Sequence, residues 1–133
     1  MSIYSAHSVA TFPDNSTFSQ TDWIALADMW YPLALEEEVG EKPIAKQVLD
    51  TPIVIARLGE EYVVAKDLCV HRGAPLTEGW VNESCIVCPY HGYEYDSQGD
   101  CKKVPSDPDW KIPSRIRLET YLHEVKYGLI WIC

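Results

Sequence analysis

No stretch of this chain approaches the ~18 consecutive apolar residues of a membrane-spanning helix, and its amino terminus has neither a basic region nor an apolar signal core. Membrane insertion and secretion are therefore not expected, and a cytoplasmic setting is. Positive charge is scarce: 11 Lys and Arg stand against 20 Asp and Glu, a net charge of −9. Nucleic acid, which needs a basic surface to neutralise phosphates, is accordingly not an expected partner. The five cysteines, Cys69, Cys85, Cys88, Cys101 and Cys133, do not read as a disulfide framework, which suits a reducing compartment. Internal repeats are lacking. The one biased stretch is residues 1–20, where Ser2, Ser5, Ser8, Ser16 and Ser19 recur among Thr and Asn. It reads as a flexible arm, with His7 an ordinary exposed histidine.

What remains, residues 21–133, is enough for one modest core and no second one, at 47% hydrophobic composition. Nine Pro and seven Gly cut it into short segments, which favours an all-β domain of small antiparallel sheets. One short helix is expected over residues 21–29, with Thr21 as N-cap and Asp22 in its first turn. Residues 53–57 and 62–66 read as strands joined by a hairpin at Leu58-Gly59-Glu60-Glu61. Residues 85–87 and 93–95 form a second hairpin, and 116–118 with 129–132 supply closing strands. The acidic run of Glu36, Glu37, Glu38 and Glu41 reads as a solvated turn rather than a docking patch, although charge complementarity of that kind would speed encounter with a partner protein. Cys85 reads as a small buried hydrophobe and His123 as the solvent face of a strand.

Chemistry concentrates in Cys69-Val70-His71 and Cys88-Pro89-Tyr90-His91, one Cys-plus-His unit repeated across 16 intervening residues. Such a set could hold a zinc ion tetrahedrally, or a two-iron cluster with thiolates on one iron and imidazoles on the other. Zinc modules more often pair like ligands at each knuckle. Here each loop would send its Cys to one metal and its His to the neighbour, which suits the two-iron cluster. A zinc-stabilised binding module stays open as an alternative.

The first pair continues as Arg72-Gly73-Ala74-Pro75-Leu76 and the second as Gly92-Tyr93-Glu94-Tyr95-Asp96-Ser97-Gln98-Gly99. On these residues the chain resembles the Rieske [2Fe–2S] family, in its ring-hydroxylating and demethylating oxygenase branch. Trp30-Tyr31-Pro32, residues 41–57 and Tyr127-Gly128-Leu129-Ile130-Trp131 extend the resemblance. It implies a Rieske-type fold with two cluster-binding loops at its tip, and one [2Fe–2S] cluster held by Cys69, His71, Cys88 and His91. Beside these ligands it places Arg72, Gly73, Pro75, Trp80, Tyr90, Gly92, Tyr93 and Tyr95. Gly73 and Gly92 would let backbone amides approach the sulfides and Pro75 would stiffen a covering loop, while Arg72 reads as a surface residue. Trp80, Tyr90, Tyr93 and Tyr95 read first as packing aromatics, whose packing would also exclude solvent.

Two thiolates cancel the plus-two charge of an oxidised two-iron, two-sulfide core, so the mixed-ligand site is neutral and accepts an electron more readily than a four-thiolate one. Potentials of roughly −150 to +300 mV against about −400 mV express that difference. The respiratory branch of the family carries an extra cysteine in each loop, at the places held here by Ala74 and Tyr90. Without that disulfide, and with fewer hydrogen bonds to sulfur, the low end of the range is expected. The potential should also fall at alkaline pH, where coordinating histidines lose their outer proton.

By the same resemblance, electrons would come from a reductase or ferredoxin and pass to a mononuclear Fe(II) in a catalytic domain. Only His7 and His123 remain after the cluster ligands, too far apart for that second site, so the chain is not expected to hydroxylate anything alone. Its apolar ending at Ile130-Trp131-Ile132-Cys133 reads as a cut before that domain, and the family's trimer would need the full-length chain. A free-standing Rieske ferredoxin is the alternative reading. Substrate and reaction are not legible.

Overall fold

The computed structural model describes residues 11–69 and 73–133. A single helix, α1 (Gln20–Ala27), precedes the strands β1 (Tyr31–Leu35), β2 (Ile44–Val48), β3 (Thr51–Leu58), β4 (Glu61–Lys66), β5 (Trp80–Asn82), β6 (Cys85–Val87), β7 (Glu94–Tyr95), β8 (Cys101–Lys103), β9 (His123–Lys126) and β10 (Leu129–Ile132). They form three antiparallel sheets, ordered β1-β10-β9, β2-β3-β4 and β5-β6-β7-β8. The all-β reading with one short helix holds. Among the described residues, no helix is long and apolar enough to cross a membrane.

The β3–β4 hairpin is the wall between two cores. Successive strand side chains point to opposite faces. Val54, Ala56 and Leu58 of β3 therefore pack on one side with Cys69, Leu76, Ile86, Cys88 and Tyr95. Ile53 and Ile55 pack on the other with Leu33, Ala34, Ile130 and Ile132. Burial on both faces explains why this stretch is an unbroken apolar run rather than an alternating one. The hairpin closes through the two-residue turn Gly59-Glu60, with Gly59 in the left-handed region at φ 70°.

Several local expectations are corrected. Helix α1 starts one residue early because Ser19, not Thr21, is its N-cap: the Ser19 hydroxyl accepts the Asp22 N–H at 3.2 Å. The helix ends at Ala27, before Met29, and buries only Trp23, whose indole N–H donates to the Leu49 carbonyl at 3.0 Å. Residues 11–19, expected to belong to a mobile arm, are tied to the domain. The Thr17 N–H and hydroxyl both donate to Asp50, at 2.6 and 2.7 Å, Thr11 donates to Glu119, and Phe12 meets Trp23 edge-on. The rest of that arm, with His7, lies outside the described residues. Residues 116–118 make no strand, because a turn from Pro113 to Ile116 delivers them to a single bridge between Arg117 and Asp100. His123 is half-buried, in a cleft shared with Glu60, Glu61, Tyr62, Ser97, Gln98 and Glu124, and burial pushes its pKa down. The acidic run, by contrast, is the solvated turn expected, a 3₁₀ turn (Glu36–Glu38) where Glu38 accepts the Leu35 N–H and meets Lys46, both at 2.9 Å.

A second 3₁₀ turn (Leu76–Glu78) connects the β4 side of the molecule to β5, and it is pressed close to β6. A Cβ on Gly79 would stand 1.9 Å from the Val87 carbonyl oxygen, a backbone atom that cannot swing away. Gly79→Ala must push the 3₁₀ turn off β6, and a loss of about 1–3 kcal/mol is expected in urea unfolding, the cost of overpacking a filled site. An unchanged midpoint and slope would show that the approach is not tight.

Candidate metal centre

The two Cys-plus-His loops arise from different sheets but close in the same way. In the first, the Cys69 N–H donates to the Ala74 carbonyl at 2.8 Å and the Gly73 N–H returns to the Cys69 carbonyl at 2.7 Å. In the second, the Cys88 N–H donates to Tyr93 at 2.8 Å and the Gly92 N–H returns to Cys88 at 3.1 Å. The returning residue is left-handed in both, at φ 72° for Gly73 and 73° for Gly92, a conformation that costs a residue with a Cβ about 1–2 kcal/mol. The repeated Cys-plus-His unit pairs these loops in the sequence, and the same two closing bonds with a left-handed glycine pair them in the structure.

This closure drives both cysteines inward. Cys69 and Cys88 are each 1% exposed and share one buried core, close enough for Cys69 to act on the Cys88 thiol. The backbone amides of Tyr90 and His91 favour the Cys88 thiolate. Burial pushes the Cys88 thiol up, the Tyr90 amide draws it down, the Cys69 thiol pushes it up, and the net direction is upward. Tyr95 is fully buried, with its hydroxyl 3.2 Å from Cys69 Sγ. Burial, then the bond to Cys69, drives its pKa far up, so the phenol keeps its proton. Cys101 is buried in the same core, and burial pushes its thiol up to about 11.

The other candidates divide. Tyr93 is half-buried against this core, whereas Trp80 and Tyr90 are 52% and 66% exposed. Neither of those two is the packing aromatic expected: Trp80 lies on outer strand β5, and Tyr90 projects from the second loop against the edge of the His91 ring. Pro75 is exposed and starts the second 3₁₀ turn, and His91 is exposed on its loop. His71 and Arg72 lie outside the described residues. Among the described residues, no three His, Cys, Asp or Glu side chains are placed to hold a metal together. Cys85 is half-buried rather than buried, and burial followed by Glu94 and Asp96 raises its thiol.

One neighbour escaped sequence reasoning altogether. Pro105, seventeen residues beyond Cys88 in the chain, covers the second loop: a Cβ on Gly92 would meet its Cγ at 3.2 Å. No spacing rule points to it; only the bare glycine at position 92 hints that something sits close.

Residues 29–122 match the Rieske [2Fe-2S] domain, and the chain belongs to that family. Methylxanthine N1-demethylase NdmA of Pseudomonas putida is 38% identical over 113 residues, covering 80% of this chain and 32% of NdmA. The oxygenase component of dicamba O-demethylase from Stenotrophomonas maltophilia is 38% identical over 104 residues, covering 77% and 30%. Among solved structures, Pseudomonas putida CBB5 NdmA aligns at a TM-score of 0.77 with 37% identity, over 84% of this chain and 35% of that one. Dicamba monooxygenase aligns at 0.76 with 34% identity, over 80% and 33%. The chain thus spans about a third of the length of these Rieske oxygenases.

The residues present fit the family's [2Fe–2S] cluster. Two thiols share a dry core, the Tyr95 hydroxyl lies beside Cys69 Sγ, the amides of Tyr90 and His91 favour the Cys88 thiolate, and a glycine stands at each loop's closing bond. Because Gly92 carries both a left-handed backbone and the Pro105 contact, Gly92→Ala should lower thermal stability more than Gly59→Ala, which has the same backbone sign and nothing within 4 Å. Equal losses, each near the ~1 kcal/mol left-handed cost, would mean that Pro105 does not bear on the loop.

Proposed function

We propose that this chain is the electron-entry domain of a Rieske non-haem iron oxygenase, with Cys69, His71, Cys88 and His91 as the cluster ligands. In this reading it takes single electrons from a reductase or ferredoxin and hands them to a mononuclear iron held outside residues 1–133. A [2Fe–2S] cluster with mixed thiolate and imidazole ligation supplies one-electron chemistry at mild potential. The observation that carries the reading is the convergence of the Cys69 and Cys88 thiols, one from each loop, at 1% exposure.

The chain's own residues have separable tasks. The amides of Tyr90 and His91 and the hydroxyl of Tyr95 aim positive dipoles at sulfur, which favours the more negative, electron-loaded state. Leu76, Ile86, Val104 and Leu118 exclude water from the thiols. Loops mounted on buried strands move little when charge changes, which keeps reorganisation small. His91 stands exposed, so a partner can reach the site from that side.

The test is electron paramagnetic resonance of the dithionite-reduced protein with iron, sulfide and zinc analysis. A rhombic signal averaging below the free-electron g value, with two irons and two sulfides per chain, supports the reading. A silent spectrum with one zinc per chain would overturn it. Tyr95→Phe removes one donor from Cys69 and should lower the potential by roughly 40 mV, which is ~1 kcal/mol of hydrogen bond on a one-electron couple. Spectroelectrochemistry of the two proteins side by side reads this directly; an unshifted potential would leave Tyr95 as packing alone.

A further inference from the structure

The two ligand loops close alike at their tips but are held differently at their bases. The second is the end of a hairpin: Val87 pairs with Glu94 and Ile86 with Tyr95, so ladder rungs fix both of its stems. Among the described residues the first has no such ladder. Its chain leaves β4 at Lys66 and returns as a 3₁₀ turn, which cannot pair with a strand. Across that gap stands one side-chain clasp, in which Asp67 Oδ1 accepts the Thr77 N–H at 2.9 Å and Asp67 Oδ2 accepts the Thr77 hydroxyl at 2.5 Å. Both residues are half-buried. Each end of the clasp is itself anchored. The Asp67 N–H donates to the Pro52 carbonyl on β3 at 3.0 Å, and Thr77 lies between buried Leu76 and the Gly79 approach to Val87.

We propose that Asp67, acting through Thr77, is the positioning residue for Cys69. The charge-assisted clasp substitutes for the missing ladder rungs and ties the first ligand loop, through Gly79 and Val87, to the base of the second. Two hydrogen bonds to one carboxylate are among the stronger available on a protein surface, and they close an eleven-residue excursion whose free ends would otherwise wander. Thr77 supplies both donors, so the hydroxyl can be removed without touching the backbone bond. This inference rests on the electron-transfer reading only for what Cys69 is positioned to do; the clasp itself can be measured without it.

The experiment compares Thr77→Val with Thr77→Ser. In the chain as isolated, amide exchange at Cys69 and Gly73 should be about tenfold faster in Thr77→Val, the factor carried by one lost charge-assisted bond, and unchanged in Thr77→Ser. In the cluster-loaded protein, loss of visible absorbance to an iron chelator should accelerate by a similar factor, with altered g values, again restored by Ser. Asp67→Asn, which keeps one uncharged acceptor and replaces the other with a donor, should move the same readouts in the same direction. Parent-like exchange and parent-like release in Thr77→Val would overturn the proposal. Faster exchange in Thr77→Val, alongside a parent chain that takes up no iron, would leave the clasp standing and bring down the electron-transfer reading instead.

Discussion

Two thiols borne on different sheets must meet at one buried point, and the remainder of the architecture is arranged around that demand. Neither loop can bring its cysteine there alone. The first hangs from β4 and the second from the β6–β7 hairpin, and they converge because β3, β4 and the small sheet share one core. The hairpin of β3 and β4 is buried on both faces, so it cannot tilt toward either core without opening the other. Position at the tip is thereby inherited from packing well below it.

The environment of the thiols is set by opposing effects of unequal reach. Burial works against a charged sulfur at every distance, and it is the largest influence on Cys88 and Tyr95 alike. Directed contacts act only at short range: two amides at Cys88 and the Tyr95 hydroxyl at Cys69. A cluster whose charge is shared among irons, sulfides and imidazoles suffers less from burial than a lone thiolate would, and it gains fully from the donors. Dry surroundings with aimed dipoles thus suit electron storage better than they suit a free cysteine nucleophile.

Legibility of this molecule in its sequence followed chemical specificity. Cys69, Cys88, His71 and His91 stand out because a repeated Cys-plus-His unit is a metal-ligand pattern, and the flanking glycines because tight loops need them. The hairpin at Gly59 was readable from β-rich flanks and a short turn, and β10 from its apolar run. Side-chain exposure was not: Trp80 and Tyr90 look like core residues by type, yet an outer strand and a loop tip put them in solvent. Ser19 was passed over for Thr21 because either can cap a helix, and only the backbone decides between them. Pro105 and the Asp67–Thr77 pair were invisible for a different reason, since contacts between residues chosen for ordinary properties leave no pattern in the chain.

The likeness of the two loops has an implication for how such a site can arise and be moved. Each is a run of six residues, from Cys69 to Ala74 and from Cys88 to Tyr93, closed by its own backbone bonds. A module that carries its shape internally asks little of its host beyond two stems held at a fixed distance. A hairpin provides those stems on one side here and a carboxylate on the other. The half-site is therefore portable in principle, and what evolution or a designer must invent afresh is the means of facing one copy toward the other.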